Sequence, residues 1–178
     1  MDIMDWISSV GADNIGITTV DKIVFEPEFR KACESNACGK LGKYWTCPPH
    51  VGDIHDLISK AKSYETAIVY QTIHDIEDSY DIEGMLESGD EHRVVSQKVH
   101  RHLLDTIDND KFLHLGSGGC DLCKTCTITI GKPCVHPTLS MASLEAYGIA
   151  VSDLAKKTNL KYINGENTVT YFSVILLK

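Results

Sequence analysis

Four cysteines in the second half of the chain have the spacing of a metal-binding loop. Cys120, Cys123 and Cys126 recur at every third position, and Cys134 follows after seven further residues. Thiolates are soft, anionic ligands that favour iron–sulfur clusters, zinc or copper(I). Thiols this close in sequence can converge on one metal centre without ligands from the rest of the fold. The preceding segment 116–119 is rich in glycine, which lets the backbone approach such a centre closely.

The spacing of this group favours an iron–sulfur cluster over zinc. Structural zinc sites usually combine two C-x2-C pairs that are separated by a longer spacer. A C-x2-C-x2-C triplet instead matches the bacterial ferredoxin run, in which the fourth cysteine follows after three residues and precedes a proline. Here the fourth cysteine follows after seven residues, and Pro137 comes three residues later. We predict a [4Fe–4S] cluster on Cys120, Cys123, Cys126 and Cys134, with zinc as the alternative.

A second, less regular group of cysteines lies in the first half of the chain. Cys33, Cys38 and Cys47 are spaced C-x4-C-x8-C in a segment with glycines, and a stiff Pro-Pro pair follows at 48–49. We predict that these thiols also bind metal and that a second cluster is plausible here, although small cysteines also pack in loop-rich corners. Three thiolates leave one iron of a four-iron cluster open, and an open iron is a Lewis acid that can hold a substrate. His50 could fill that position instead.

The sequence leaves the division of the seven cysteines open. In two-cluster ferredoxins the fourth cysteine of a run ligates the other cluster. Cys134 could therefore complete the first-half site, and Cys47 the second-half site. Three side chains could transfer protons to a bound substrate, namely Tyr44, His50 and Glu145, although Tyr44 could simply pack and Glu145 could simply cap a helix or pair with a lysine.

Composition excludes several other classes of protein. A chain of 178 residues with 43% hydrophobic residues fits one ordinary domain, which we expect to span 1–178. The net charge of −8 argues against binding to nucleic acid or to anionic membranes. The longest apolar run, 174–177, is far too short to span a bilayer. An odd number of cysteines and an N-terminus without the features of a secretion signal indicate a reducing, cytoplasmic location.

Hydrophobic periodicity and turn residues predict an α+β domain. We expect a small mixed β-sheet with flanking helices on one side and the cysteine-rich metal-binding loops at one end. A C-terminal hairpin is predicted from 162–163 and 169–177, which flank the turn residues Asn164-Gly165. The other predicted strands are 14–20, 23–25, 67–73 and 112–115, and the predicted helices are 1–10, 27–32, 53–61, 85–108, 143–148 and 153–158.

Four segments of the chain together resemble the DUF2284 family, which is described as predicted metal-binding proteins of anaerobic bacteria and archaea. Leu144 stands where the family pattern has methionine. The resemblance covers about residues 24–151 and implies a cytoplasmic iron–sulfur or metal-binding protein, without implying a reaction. The segments, in the order of the family, are Cys33…Cys38-Gly39…Cys47-Pro48-Pro49, Gly119-Cys120-x-x-Cys123-x-x-Cys126, Pro133-Cys134-x-x-Pro137 and Ser143-Leu144-Glu145-Ala146-Tyr147-Gly148-Ile149.

Three functions are compatible with these observations. The first is an iron–sulfur protein with one or two [4Fe–4S] clusters that passes single electrons to a partner enzyme. The second is an enzyme whose cluster on Cys33, Cys38 and Cys47 has an open iron that binds the sulfur or oxygen of a small substrate. The third is a structural zinc protein that binds a partner. The ferredoxin-like triplet leads us to predict the electron-transfer role.

Overall fold

The computed structural model describes residues 2–178, and its centre is a four-stranded β-sheet. The spatial order of the strands is β1-β2-β4-β3, and every neighbouring pair runs antiparallel. The predicted α+β class is confirmed, whereas the prediction of a mixed sheet is wrong, because each strand pairs only with antiparallel neighbours. The strands are β1 (Asn14–Thr19), β2 (Thr66–Asp75), β3 (Phe112–Leu115) and β4 (Thr168–Leu177).

Within residues 2–178, five α-helices accompany the sheet, and the side chain of an aspartate caps two of them. Asp53 caps one helix by accepting from the backbone N–H groups of His55 and Asp56, and Asp81 caps another by accepting from that of Gly84. The helices are α1 (Ile3–Ser9), α2 (Lys31–Glu34), α3 (Ile54–Lys62), α4 (Ile82–Thr106) and α5 (Val151–Lys157), and short 3-10 turns span Val20–Lys22, Pro27–Arg30, Thr127–Ile130 and Glu145–Tyr147.

Hydrophobic side chains pack on both faces of the sheet. Because successive residues of a strand point to opposite faces, Val69 and Tyr70 of β2 enter different cores. Helices α1 and α4 cover one face, while α3, α5 and the 3-10 turn Val20–Lys22 cover the other. The helices therefore lie on both sides of the sheet. The prediction that they lie on one side is wrong.

Two predicted strands are wrong. Within residues 2–178, segment 23–25 forms no strand, although Phe25 makes an isolated bridge with Ile149. Segment 162–163 is also not a strand, and the expected hairpin is replaced by long-range pairing of β4 with β2 and β3. The ring of Tyr162 stacks on that of Phe172, with centroids 5.8 Å apart, so this residue packs through its side chain and not through its backbone.

The two cysteine-bearing segments are loops that leave the layered core and contact each other. The first loop spans 31–53, includes the short helix α2 and precedes α3, and the second loop follows β3. The ends of the second loop meet, since Gly116 N–H donates to the Ala142 carbonyl at 2.9 Å and Leu144 N–H donates to the Gly116 carbonyl at 3.2 Å. Among the residues that the structure describes, no helix combines the length and apolar character that a membrane crossing requires.

Candidate metal centre

The second loop brings its four cysteines to one cavity. The side chains of Cys120, Cys123, Cys126 and Cys134 all line it, and all four cysteines are partly buried. The cavity is narrow, about 10 Å³, which is roughly the space needed for one water molecule. The remaining wall comes from the first loop and from the end of the second, through Tyr44, Trp45, Thr46, Leu122, Thr127, His136 and Ser140.

A tight turn accounts for the seven residues between the third and fourth cysteines. The 3-10 turn Thr127–Ile130 ends at Gly131, whose φ of 64° lies in the left-handed region that glycine adopts without strain. Lys132 N–H then donates to the Thr127 carbonyl at 3.0 Å, and the Thr127 hydroxyl donates to the Pro133 carbonyl at 2.8 Å. The chain reverses here, so Cys134 returns to the other three cysteines despite the longer spacing.

Backbone N–H groups point at two of these sulfurs. His136 N–H donates to Cys134 Sγ at 3.4 Å, and Leu122 N–H donates to Cys120. Burial raises the pKa of the Cys120 thiol, while the hydrogen bond from Leu122 opposes the rise by stabilising the thiolate. Hydrogen bonds of this kind also stabilise sulfurs that bind metal, because they offset part of the negative charge.

The first loop forms a wider cavity of about 230 Å³ around the other three cysteines. Cys33, Cys38 and Cys47 line it together with Ser143 and Glu145. Cys33 Sγ lies 4.0 Å from Ser143 Oγ. Burial raises the pKa of the Cys47 thiol to about 11, and the neighbouring Cys38 and Cys33 add to the rise. Three thiols and a carboxyl group therefore face a common space.

The two cavities adjoin each other. Thr46 lines both of them. Trp45 Nε1 donates to the Lys132 carbonyl at 3.1 Å, and this contact joins the first loop to the turn before Cys134. A Cβ atom added at Gly119 would lie 3.5 Å from Cys47 Sγ, so the glycine-rich segment of the second loop packs directly on the first cysteine group. The seven cysteines therefore form two neighbouring sets and not one.

The structure favours one division of the cysteines over the alternatives that the sequence left open. Cys134 lies with the second-half triplet, and Cys47 lies with the first-half cysteines. Within residues 2–178, we find no group of three or more side chains that is arranged to hold a metal ion, counting cysteine, histidine, aspartate and glutamate. The role of all seven cysteines as ligands stays a prediction.

The three proton-transfer candidates have different surroundings. Exposed His50 lies outside the described lining of both cavities, and its Nε2 contacts the Gly42 carbonyl at 3.2 Å. Tyr44 lines the four-cysteine cavity, with Lys40 Nζ 5.3 Å from its ring centroid. Half-buried Glu145 lines the three-cysteine cavity, and burial raises the pKa of its carboxyl group. Glu145 is therefore the candidate that lies beside cysteines in the wider cavity.

Thr46 and Ser143 also belong to the site, and the sequence analysis did not identify them. Thr46 precedes Cys47 and separates the two cavities, whereas Ser143 comes from the far end of the second loop. Adjacency to a cysteine is a signal that could have drawn attention to Thr46. Ser143 has no such signal, because the pairing of Gly116 with Ser143 creates its position.

Adjoining cysteine-lined cavities on an α+β scaffold are typical of cysteine-rich metal-binding proteins. The chain belongs to the DUF2284 family, described as predicted metal-binding protein, whose match covers residues 17–177. No curated protein and no solved structure matches the chain.

Proposed function

We propose that this protein is an iron–sulfur protein that transfers single electrons to a partner enzyme. In this proposal Cys120, Cys123, Cys126 and Cys134 hold one [4Fe–4S] cluster. A second cluster is bound by the three cysteines of the first loop. The observation that carries the proposal is the division of the seven cysteines between two adjoining cavities, since two neighbouring redox centres suit transfer of electrons one at a time.

The donor set of the four-cysteine cavity fits such a group. Its described lining contains four thiols and no carboxylate, which is the composition that soft metal centres require. Tyr44 and Trp45 from the first loop shield it from solvent, and the N–H groups of Leu122 and His136 offset negative charge on the sulfurs. An iron–sulfur cluster bound here would supply reversible one-electron chemistry.

Metal analysis of protein purified without oxygen tests this proposal. We expect about eight iron and about eight sulfide per chain, together with the broad visible absorption of iron–sulfur clusters. Cys123→Ser and Cys38→Ser should each lower the iron content by about half, because they affect different cavities. Ser140→Ala is the matched control, since Ser140 lines the four-cysteine cavity without a thiol. Stoichiometric zinc in a colourless protein would overturn the proposal and favour a structural zinc protein that binds a partner.

One observation favours a second candidate, an enzyme with an open iron site. The three-cysteine cavity is the wider of the two, and it contains the carboxyl group of Glu145 and the hydroxyl group of Ser143 beside the thiols. These groups suit a small substrate that binds through sulfur or oxygen and exchanges a proton with Glu145. The protein would then contribute position and proton transfer, and an open iron would contribute Lewis acidity.

Addition of small ligands to the reduced protein separates these two candidates. An open iron should respond to a thiolate or to cyanide with a changed electron paramagnetic resonance spectrum, and Cys38→Ser should abolish this response. Glu145→Gln should preserve the ligand response and remove proton transfer, because the amide cannot titrate. A spectrum that ignores both ligands counts against the enzyme and leaves the electron-transfer proposal in place.

A further inference from the structure

A third cavity lies between α4 and the segment Gly116–Leu122, and it borders the four-cysteine set because Cys120 lines both cavities. Its volume of about 680 Å³ is within the range of pockets that hold small molecules. Four basic side chains and two acidic ones line it, in a chain whose net charge is −8. The basic residues are Lys40, Arg93, Lys98 and Arg101, and the acidic ones are Asp90 and Asp121.

The ion pairs within this cavity leave two cations available. Asp121 accepts from Lys40 Nζ and from Arg93 Nε, each at 2.7 Å, and Arg93 also pairs with Asp90. Lys98 and Arg101 form no ion pair with any carboxylate of residues 2–178. Their charges are not neutralised within the cavity, so it favours an anionic ligand.

Ser96 lies at the floor of the same cavity and is almost completely buried. Two branches of hydrogen-bonded side chains start from its hydroxyl group and run through the interior. The first branch runs between α4 and the face of the sheet that α4 covers, and it reaches the surface at a carboxylate. Its members, with successive separations between 2.8 and 3.1 Å, are Ser96, Ser173, His92, Thr72, His74 and Glu91.

The second branch leads to the turn that follows Cys134. Tyr70 OH lies 3.0 Å from Ser96 Oγ and 2.8 Å from His114 Nε2. His114 Nδ1 lies 3.3 Å from His100 Nδ1, and His100 Nε2 lies 2.7 Å from the Thr138 carbonyl oxygen. Every side chain between the two ends is a hydroxyl or an imidazole, and each of these groups both donates and accepts.

The protons of this chain can be counted. Both ends, the Glu91 carboxylate and the Thr138 carbonyl, only accept hydrogen bonds. Eight neutral side chains supply one proton each for nine contacts between the two ends, so one contact lacks a proton before any ligand binds. An anion that accepts from Ser96 adds a tenth contact and leaves a second one without a proton. One proton taken up by the chain restores the balance that it has without the ligand.

The direction of the hydrogen bonds agrees with such an acceptor. Tyr70 OH donates to Ser96, and Ser173 can also donate to it, so the Ser96 hydroxyl proton is free to point into the cavity. His92 and His114 would then both carry their proton on Nε2, facing Ser173 and Tyr70. The extra proton would enter at the end of the chain where the Glu91 carboxylate lies 3.1 Å from His74 Nδ1. The other end is unfavourable, because burial lowers the pKa of His100 and the positive charge of Arg101 adds to the lowering.

We propose that this cavity binds a small molecule with a carboxylate or a tetrahedral oxyanion group, held by Lys98 and Arg101 and by the hydroxyl of Ser96. Binding draws one proton from solvent into the buried chain. Ser96 donates a hydrogen bond to the bound group and accepts one from Tyr70 or Ser173. The one proton that the chain gains comes from the buffer, which is left in its basic form. This proposal does not depend on which metal the cysteines hold.

Calorimetric titration of the anaerobically purified protein tests the proposal. The probes are benzoate for the carboxylate group and benzenesulfonate for the tetrahedral oxyanion, with neutral benzamide as the control. We expect at least one anion to bind, and its preference over the other identifies the chemistry of the group. Titration at pH 7 in buffers of different ionisation enthalpy should show uptake of about one proton per bound anion, because a tenth hydrogen bond must be filled.

Four variants separate the contributions of charge, of the Ser96 hydroxyl and of folding. Lys98→Gln and Arg101→Gln should each weaken anion binding about tenfold or more, since each removes a charge-assisted hydrogen bond. Lys156→Gln, at an exposed lysine of α5 on the opposite face of the sheet, should leave it unchanged. Ser96→Ala should retain anion binding within severalfold and lose the proton uptake. Its unfolding midpoint shows whether the variant is folded.

Several results would overturn the proposal. They are benzamide binding as tightly as benzoate, no binding of either anion, unchanged affinity in both charge variants, or equal proton uptake in folded Ser96→Ala. Each of these results would leave the iron–sulfur proposal standing, because that proposal is tested by metal content. The titration is made on protein whose metal content has been measured, because segment 117–122 forms part of the cavity wall and loss of metal must be distinguished from loss of the anion site.

Discussion

At the scale of single residues, backbone conformation fixes one wall of the three-cysteine cavity. Gly148 ends the turn Glu145–Tyr147 with a φ of 67°, and an added Cβ would lie 2.6 Å from the Glu26 carbonyl oxygen. Glu26 N–H donates to the Gly148 carbonyl at 2.8 Å. The position therefore requires glycine for two reasons, the left-handed conformation and the close approach of another backbone.

A pair of glycine variants separates these two reasons. Gly131 has nearly the same φ, 64°, and an added Cβ there meets nothing within 4 Å. We expect Gly131→Ala to cost about 1–2 kcal/mol, from the conformation alone. Gly148→Ala should cost about 2 kcal/mol more, because the backbone must shift to relieve the contact. Urea unfolding of the anaerobically purified, metal-containing protein measures both, and equal losses would show that the contact with Glu26 relaxes freely.

At the scale of elements, prediction succeeds where the hydrophobic pattern within one element is enough to identify it. Strands β2 and β3 lie close to their predicted bounds, and α4 spans Ile82–Thr106 against a predicted 85–108. The hairpin over 162–163 fails because its signal, the Asn164-Gly165 turn, is local, whereas the partner of β4 is the distant strand β2. Only packing in the folded chain decides between these partners.

The same contrast applies to the functional residues. The cysteines could be found from sequence because thiols at fixed spacing are rare outside metal sites and disulfides. The apolar row of α4 was found by its spacing of four residues. The polar row beside it was missed, although it has the same spacing and is buried, because isolated serines and histidines usually lie on the surface. This row is Ser88, His92, Ser96 and His100.

Two buried histidines, His92 of this row and His114 of β3, make the free energy of unfolding depend on pH. Burial lowers the pKa of His92 to about 3 and lowers that of His114, against about 6.5 in an unfolded chain. The unfolded state therefore binds more protons below pH 6.5, so the free energy of unfolding is full above pH 6.5 and falls as the pH drops towards 3. Each such histidine contributes a slope of up to about 1.4 kcal/mol per pH unit.

His92→Gln tests this dependence, since glutamine forms hydrogen bonds without titrating. Between pH 6.5 and pH 5 we expect the variant to lose about 1.4 kcal/mol per pH unit of the slope, whatever its stability at pH 7. Urea unfolding at several pH values measures the slope. His55→Gln, at an exposed residue of α3, is the matched control. An unchanged slope in His92→Gln would mean that His92 is protonated in the folded state.

At the scale of the whole molecule, the cysteine loops and the sheet are stabilised differently. The two hydrophobic cores consist mainly of residues from the sheet, the helices and the 3-10 turns. The loops are joined to each other through the ion pair of Lys40 with Asp121 and the hydrogen bond from Trp45 to the Lys132 carbonyl. The second loop is also joined to α4 by polar contacts of Asp121, Thr138 and Leu139. Metal binding to one loop should therefore order the other loop, with little effect on the sheet.

Hydrogen exchange measured by mass spectrometry tests this separation. In the metal-free, reduced protein we expect fast exchange over 36–50 and 117–140 and slow exchange over Thr66–Asp75 and Thr168–Leu177, because the two strands form the central antiparallel pair. Reconstitution with iron and sulfide should slow exchange in both loops about tenfold or more and leave the strands unchanged. Cys123→Ser should lose protection over 117–140 and retain part of it over 36–50, because the cysteines of the other set remain. If reconstitution slows exchange in the strands as much as in the loops, the metal-binding loops and the sheet form one cooperative unit instead.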